Sequence, residues 1–176
     1  FYLLHKGGEV NLLDSRGEVQ FLSPEAQEWE KVANHTHFRN GITLKTGNEA
    51  RTTLFTRKGV DVSMDANTEV HVVDSLKIRL KSGQLLISVK DLETPLEIDT
   101  PNGRIRTERG TLNIAAEDFI TTVTAVKGDA VLVIEGEEKK LLEGRQHKMS
   151  IGGEPVDIGA IINWSEGVIN KSDRRE

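Results

Sequence analysis

The 176-residue chain contains no cysteine. This absence excludes disulfide bonds, thiolate zinc sites and cysteine nucleophiles. It leaves the cellular compartment open, because many exported bacterial domains also carry no disulfide. The compartment must therefore be inferred from other features.

Positively charged residues are outnumbered by acidic ones. The chain has 23 Lys and Arg against 28 Asp and Glu, which gives a formal net charge of −5. A nucleic-acid backbone is bound largely by Lys and Arg side chains that neutralise phosphates. The charge balance therefore argues against nucleic acid as the main partner.

Long apolar runs are missing as well. No run reaches the roughly 18 residues of a membrane-spanning helix, and no charged segment with a cleavage site opens the sequence. The residues from Phe1 to Leu4 fit either the outer end of a removed anchor or signal segment, or a first half-buried strand. With 36% hydrophobic and 29% charged residues, the composition is typical of one globular domain.

Most of the chain alternates between apolar and polar residues with period two, the pattern of half-buried strands. The alternation is clearest at Val60–Met64, Leu76–Leu80 and Ile105–Thr107. Two runs rich in β-branched residues, Phe119–Val126 and Ala130–Ile134, predict strands buried on both sides. Irregularly spaced glycine turns disfavour a β-helix with a fixed repeat. We predict an all-β fold, a twisted two-sheet sandwich or jelly-roll with solenoid-like character.

Two segments depart from the strand pattern. Residues 23–33 begin with Ser23 and Pro24 and contain strong helix formers, which predicts a short helix. After Gly153 an apolar stripe at helical spacing predicts a short C-terminal amphipathic helix. Such a stripe docks either on its own domain or on a partner. The stripe consists of Ile158, Ile161, Ile162, Trp164, Val168 and Ile169.

His35 and His37 form the one close histidine pair in the sequence. On an extended strand both rings point the same way and could reach one metal ion, with a third ligand from His71 or His147. The alternative is a pair of surface histidines beside a turn. The cupin motif fails here, because Asn40 stands where its glutamate should fall.

No catalytic residues or cofactors are predicted. Gly-x-Ser-x-Gly is absent, and the Gly-Gly pairs lack the residues that would make them phosphate-binding loops. The 28 acids offer no way to select a catalytic pair, because the separation of two carboxylates depends on the fold. We therefore expect a protein that is not an enzyme.

Arg104, Arg106 and Arg109 place three cations in one short segment. On a strand, Arg104 and Arg106 share a face and could contact an anionic glycan or an acidic partner surface. The alternative is a solvated strand face whose arginines pair with neighbouring carboxylates, which contributes little per exposed pair.

Several short glycine-centred blocks follow one another in a fixed order. Gly41–Gly47 comes first, followed by Leu80–Leu85, Thr100–Ile114, Val126–Val131 and Leu142–Gln146. In the third block, Thr-Pro ends sheet pairing and Asn-Gly predicts a tight hairpin turn. In this order the blocks resemble the FecR domain of bacterial envelope proteins over about residues 40–150. The matching positions, expected to be structural, are Gly41, Thr46, Gly47, Gly83, Thr100, Pro101, Gly110, Thr111, Gly128, Gly144 and Gln146.

The resemblance implies a bacterial, extracytoplasmic domain. The best-known FecR-like proteins are inner-membrane regulators that relay a signal from an outer-membrane transporter to a cytoplasmic sigma factor. In this sequence no sigma-binding segment precedes the domain, and the tail after Ile151 is too short for a further C-terminal domain. We therefore expect the binding or scaffolding role of stand-alone FecR-domain proteins. The resemblance also suggests a strand, rather than a helix, around Trp29.

These observations predict a FecR-like β domain at residues 1–151 and a helical tail at 152–176. The expected function is a non-enzymatic interaction, signalling or scaffold module in the periplasm or at the cell surface. An anchor outside this sequence would hold it to the inner membrane. The partner would be another envelope protein, or a second copy. The candidate partner-binding residues are Arg104, Arg106, Arg109, Ile161, Trp164 and Val168.

The alternative function is a glycan-binding or glycan-processing domain. Sugar rings stack on aromatic side chains, so this function requires two or more exposed aromatics on one face. The chain has five Phe, two Trp and one Tyr. This scarcity counts against the alternative.

Overall fold

A computed structural model of the protein describes residues 10–33 and 35–150. This part of the chain is all-β, as predicted, and contains no helix. The strands are β1 Val10–Arg16, β2 Val19–Leu22, β3 Glu30–Lys31, β4 His37–Phe38, β5 Thr43–Thr46, β6 Arg51–Thr56, β7 Val60–Met64, β8 Glu69–Asp74, β9 Lys77–Val89, β10 Leu96–Thr100, β11 Gly103–Thr107, β12 Gly110–Glu117, β13 Ile120–Lys127, β14 Ala130–Ile134, β15 Glu137–Leu141 and β16 Gln146–Met149.

The strands form one continuous mixed sheet with two arms that share β9. Arm I has the order β4-β1-β6-β7-β9-β12-β13-β16, and arm II the order β3-β2-β5-β8-β9-β10-β11-β14-β15. Among the described strands only β9 and β10 pair in parallel. The sequence predicted two separate sheets, whereas the 13-residue β9 is long enough to belong to both arms.

Gly83 marks the point at which β9 passes from one arm to the other. Ser82 is the last β9 residue paired with β8 in arm II, and Gly83 is the first paired with β12 in arm I. A Cβ on Gly83 would lie 2.3 Å from the Thr68 Oγ1 atom, and the residue has a φ of 104°. Only glycine fits this close approach and this backbone conformation. The transfer between arms therefore depends on that residue.

The two arms bury their inner faces in a single hydrophobic core. Leu54 and Leu85 of arm I and Ile98 and Leu132 of arm II are each at most 1% exposed. Burial of one such side chain contributes about 1.5–3 kcal/mol. Because strand residues alternate between faces, each arm also has an outer face.

The predicted helix at residues 23–33 is wrong. The segment forms turns and then β3, which pairs with Gln20 and Phe21 of β2. Trp29 directly precedes β3, and the Lys45 Nζ atom lies 4.0 Å from the centre of its ring. Helix propensity is a weak preference, and pairing with β2 overrides it.

The expectation that Phe119–Val126 and Ala130–Ile134 are buried on both sides is also wrong. Thr121, Val123 and Ala125 are buried, but Phe119 is 83% and Val126 48% exposed. In the described part of the chain, no further layer covers the outer faces of these strands. The runs of β-branched residues therefore reflect strand propensity rather than complete burial.

The first nine residues and the tail from residue 151 onward lie outside the described residues, and with them the predicted C-terminal helix. Within the described residues, no helix has the length and hydropathy needed to cross a membrane.

Candidate functional site

The outer face of arm II carries a row of side chains that runs across the strands. His71 pairs with Thr43 on one side and with Arg79 on the other. Asp99 pairs with Arg79 and with Arg104, and Arg104 pairs in turn with Val133. Directly paired residues project from the same face of a sheet. The row therefore joins six neighbouring strands, from β5 to β14.

Asp99 lies at the centre of an ion-pair network on this face. Its carboxylate is 2.8 Å from Arg104 Nε, 3.8 Å from Arg79 Nε and 3.9 Å from Lys77 Nζ. Glu97 is 3.7 Å from Lys77 Nζ and 3.9 Å from an Arg104 terminal nitrogen. Two carboxylates are thus shared among three cations. The hydrogen bond to Asp99, followed by the charges of Asp99 and Glu97, raises the pKa of the Arg104 guanidinium.

Cations outnumber carboxylates on this surface, which we call the charged face. Lys81 and Glu69 form a further pair at 3.6 Å, and Arg106 pairs with Glu138. Exposed pairs of this kind contribute about 0–1 kcal/mol each, so other charged groups can replace them. The charged face consists of Lys77, Arg79, Lys81, Arg104 and Arg106 together with Glu69, Glu97, Asp99 and Glu138.

An open groove of about 880 Å³ follows the row. His71 lies in this groove, with its Nδ1 atom 2.9 Å from Thr43 Oγ1. Burial, and to a smaller extent the charge of Arg79, lower the pKa of His71. The neutral form of its ring therefore predominates at pH 7, and the positive charge in the groove comes mainly from lysine and arginine.

Two of the three arginines singled out in the sequence lie on this face. Arg104 and Arg106 both project outward from β11, while Arg109 lies in the turn between β11 and β12. All three form ion pairs, and Arg109 Nε is 3.0 Å from Asp91 Oδ1. Ile161, Trp164 and Val168 lie outside the described residues.

Sequence reasoning missed Lys77 and Arg79. The alternation in Leu76–Leu80 places both on the polar face of a strand, which was a usable signal. Their acidic neighbours come from β10 through the parallel pairing of β9 with β10. The sequence does not reveal that pairing, because a long connection separates the two paired segments.

The Thr100–Gly103 segment forms the β10–β11 hairpin turn, but with a different centre from the predicted Asn-Gly pair. Thr100 pairs with Gly103, so Pro101 and Asn102 occupy the turn and Gly103 begins β11. Proline is favoured at the first turn position, because its ring fixes φ near the value that this position requires. Thr100 Oγ1 donates to the Gly103 carbonyl at 2.8 Å.

The other family-motif positions lie in turns and close strand contacts. Thr46 Oγ1 donates to the Asp65 carbonyl at 2.6 Å and accepts from Thr68 N at 3.0 Å. A Cβ on Gly110 would lie 2.1 Å from the Lys127 carbonyl oxygen. Hydrogen bonds also involve Gly41, Gly47, Thr111, Gly128, Gly144 and Gln146.

His35 and His37 are both exposed. His35 has a φ of 63°, and His37 in β4 contacts the Asn11 side chain through its Nδ1 atom. No group of three or more His, Cys, Asp or Glu side chains is arranged to hold a metal ion in the described residues. The structure therefore does not bring His71 or His147 to the pair as a third ligand.

Two solved structures share this fold. They are crystal structures, at 1.65 and 2.50 Å resolution, of a "putative anti-sigma factor" from Parabacteroides distasonis ATCC 8503. Each is 18% identical to the chain and covers 71% of it, with TM-scores of 0.57 and 0.56. The chain in turn spans 65% and 64% of those proteins, slightly less than two thirds.

Comparison with curated protein sequences gives no significant match. The family model described as "FecR protein" matches residues 42–131, slightly more than half of the chain. The matched region begins just before β5 and ends in β14, so it contains nearly every strand that supplies the charged face. The chain belongs to the FecR protein family.

Proposed function

We propose that this protein is a non-enzymatic interaction module of bacterial envelope signalling. Its family membership supports a regulatory role, as does the fold it shares with a protein described as an anti-sigma factor. The proposed location is the periplasm or cell surface, with an inner-membrane anchor. The proposed partner is another envelope protein with an acidic surface.

The observation that carries this proposal is the excess of cations around Asp99. The whole chain has a net charge of −5, yet Lys77, Arg79 and Arg104 share only two carboxylates. An acidic surface approaching the groove would offer these cations further carboxylates. Charge complementarity of this kind accelerates association and selects among partners.

The ion pairs on the charged face allow such an exchange. The side chains of Arg79 and Arg104 are 56% and 46% exposed, so water already screens their contacts with Asp99. Replacing a screened pair costs little, whereas a pair that becomes dehydrated on binding is stronger. Arginine also suits bidentate contacts with carboxylates.

A capture experiment with matched variants tests the proposal. Wild type and the double variant Arg79→Glu, Arg104→Glu would be compared as baits in envelope extract, with quantitative mass spectrometry. The control is Arg57→Glu, Lys58→Glu, which makes the same change of charge in the exposed β6–β7 turn. We expect the Arg79/Arg104 variant to lose a specific partner at least tenfold, and the control to retain it.

The captured partner would then be purified and its affinity measured at several salt concentrations. Weakening with increasing salt supports contacts between charged groups. Equal binding by wild type and the Arg79/Arg104 variant would overturn the role of the charged face. Separation of cell compartments, with the protein found in the cytoplasm, would overturn the proposed location.

The glycan alternative has no support from the described surface. Phe119 is the one strongly exposed aromatic in the described residues, and it lies in a turn rather than on a strand face. The other described aromatics are buried or partly buried. A flat stacking surface for sugars requires more than one exposed ring.

A further inference from the structure

The outer face of arm I differs in chemistry from that of arm II. One cross-strand row runs over six strands, from β6 to β16, through directly paired positions. Shorter rows flank it on both sides, and together they form the neutral face. Its residues are Thr53, Ser63, Leu86, Asn113, Thr124 and Gln146 in the central row, with Ser88, Thr111, Gln84, Ala115 and Thr122 beside them.

None of these side chains carries a charge, although 29% of the residues in the chain are charged. Charged residues surround the face where its shorter rows end. Asp61 lies beside Ser88, Lys127 beside Thr111 and Lys148 beside Thr122, and the Arg51–Asp65 ion pair lies beside Gln84. Outward strand positions in a solvated sheet ordinarily include charges, as the outer face of arm II does. The neutral face therefore has fewer charged residues than the outer face of a solvated sheet ordinarily has.

Polar groups on the neutral face form hydrogen bonds with one another. Gln84 Nε2 donates to Asn113 Oδ1 at 3.0 Å, and Gln146 Nε2 donates to Thr124 Oγ1 at 2.8 Å. Ser88 and Thr111 hydroxyls are 3.2 Å apart. Covering a polar group costs free energy mainly when it loses its partners. Because these groups keep partners within the face, another surface can cover them at reduced cost.

Leu86 lies in the middle of the central row and is 43% exposed. It gives the face an apolar centre with polar, uncharged surroundings. The centres of protein interfaces are likewise depleted in charge. The arrangement thus matches the composition of an interface core.

We infer that the neutral face is a self-association surface, on which a second copy of this chain stacks sheet to sheet. Two copies with a net charge of −5 repel each other, and they approach most easily through a surface without charge. A face that meets its own copy around a two-fold axis needs only to be compatible with itself. Packed sheets lie about 10 Å apart, a spacing that small Ser, Thr and Asn side chains permit.

The size of the face indicates a weak dimer. Eleven positions, each covering about 4.8 Å by 7 Å of the sheet, give an area on the order of 400 Å² per molecule. Stable interfaces bury about 800 Å² per partner, and weak, transient ones bury less. We therefore expect an equilibrium between monomer and dimer that depends on protein concentration.

Sedimentation velocity of the full chain over a wide concentration series tests this inference. Wild type should rise from the 19.5-kDa monomer towards twice that mass as the concentration increases. Asn113→Lys puts one unpaired charge from each copy into the uncharged interface, where its burial is costly, and should keep the protein monomeric. Thr124→Lys provides a second variant in case the first does not fold, and circular dichroism reports the fold of each.

Val133→Lys is the matched control, because it adds the same charge at a partly exposed position on the outer face of arm II. It should dimerise like wild type. Wild type that stays monomeric throughout the series would overturn the inference. Folded Asn113→Lys and Thr124→Lys variants that dimerise normally would also overturn it. None of these outcomes depends on the acidic partner proposed for the charged face.

Discussion

The Asn102 side chain donates a hydrogen bond from Nδ2 to the carbonyl oxygen of Phe119 at 2.8 Å. Asn102 belongs to the β10–β11 turn of arm II, whereas Phe119 belongs to the β12–β13 turn of arm I. The Asn102 Oδ1 atom accepts a second bond, from Thr121 Oγ1 at 2.9 Å. The β10–β11 turn, which lies in the Thr100–Ile114 block, therefore connects the two arms.

Asn102→Ala should destabilise the fold by about 1–3 kcal/mol, because it leaves buried polar groups without partners. Asn102 is 6% exposed and Thr121 is fully buried. Urea denaturation followed by circular dichroism measures the loss. Asn113→Ala, which removes a partly exposed bond to Gln84, is the control and should change stability by less than about 0.5 kcal/mol. Equal losses for the two variants would contradict the role assigned to Asn102.

Gly110→Ala should be far more harmful than Gly59→Ala. Both glycines have positive φ, 117° and 87°, so alanine is strained at each, by about 1–2 kcal/mol. At Gly110 the added Cβ also meets the Lys127 carbonyl oxygen at 2.1 Å, whereas nothing lies within 4 Å of one at Gly59. The overpacking adds roughly 1–3 kcal/mol. Thermal unfolding of the two variants compares the costs, and a similar shift for both would refute the steric argument.

Asp99→Asn should destabilise the protein by about 1 kcal/mol at low salt, because it leaves Lys77, Arg79 and Arg104 close together without their shared carboxylate. The loss should shrink at about 1 M salt, where charges are screened beyond roughly 3 Å. Urea denaturation at low and high salt measures both values. Arg109→Gln is the control, because it removes an isolated exposed pair with Asp91. A cost of Asp99→Asn that does not depend on salt would show that packing, not charge, is responsible.

Stability should fall as the pH drops below about 6.5, the ordinary pKa of histidine. Burial, and then the charge of Lys139, lower the pKa of His147 in the folded state. Between the lowered pKa and the ordinary one, the unfolded chain binds more protons, so stability rises with pH. The stabilisation that the neutral His147 provides is complete above its pKa in the unfolded state. It is lost as the pH falls through its pKa in the folded state.

His147→Gln should reduce this pH dependence. His71→Gln should reduce it as well, because burial also lowers the pKa of His71. Urea denaturation at about pH 7.5 and about pH 5.5 brackets the expected change. If wild type and the double histidine variant lose stability equally over this interval, other groups must be responsible for the dependence.

Much of the strand content could be predicted from the sequence. The alternation at Val60–Met64 coincides with β7, because one buried face requires period two whatever the partner strand. The run Ala130–Ile134 coincides with β14 because its β-branched residues favour strands. Residues 23–33 show where this reasoning fails. Their local preference for a helix is small, and a ladder with β2 outweighs it.

The candidate sites were harder to predict. Arg104 and Arg106 stood out because they lie close together in sequence, and the structure places both on the charged face. Lys77, Arg79 and Asp99 meet only because β9 pairs with β10 in parallel, over a connection that leaves no local signal. The neutral face was likewise invisible, since its central row takes one residue from each of six strands.

The sequence by itself determined the all-β class, the polar and apolar sides of most strands, and the family. These properties depend on local periodicity and on short motifs, both of which are visible in the sequence. Only the tertiary structure decided which strands are neighbours, that β9 serves both arms, and that the charged face and the neutral face lie on different arms. Pairing between distant strands is set by the free energy of the whole core, and no single segment contains that information.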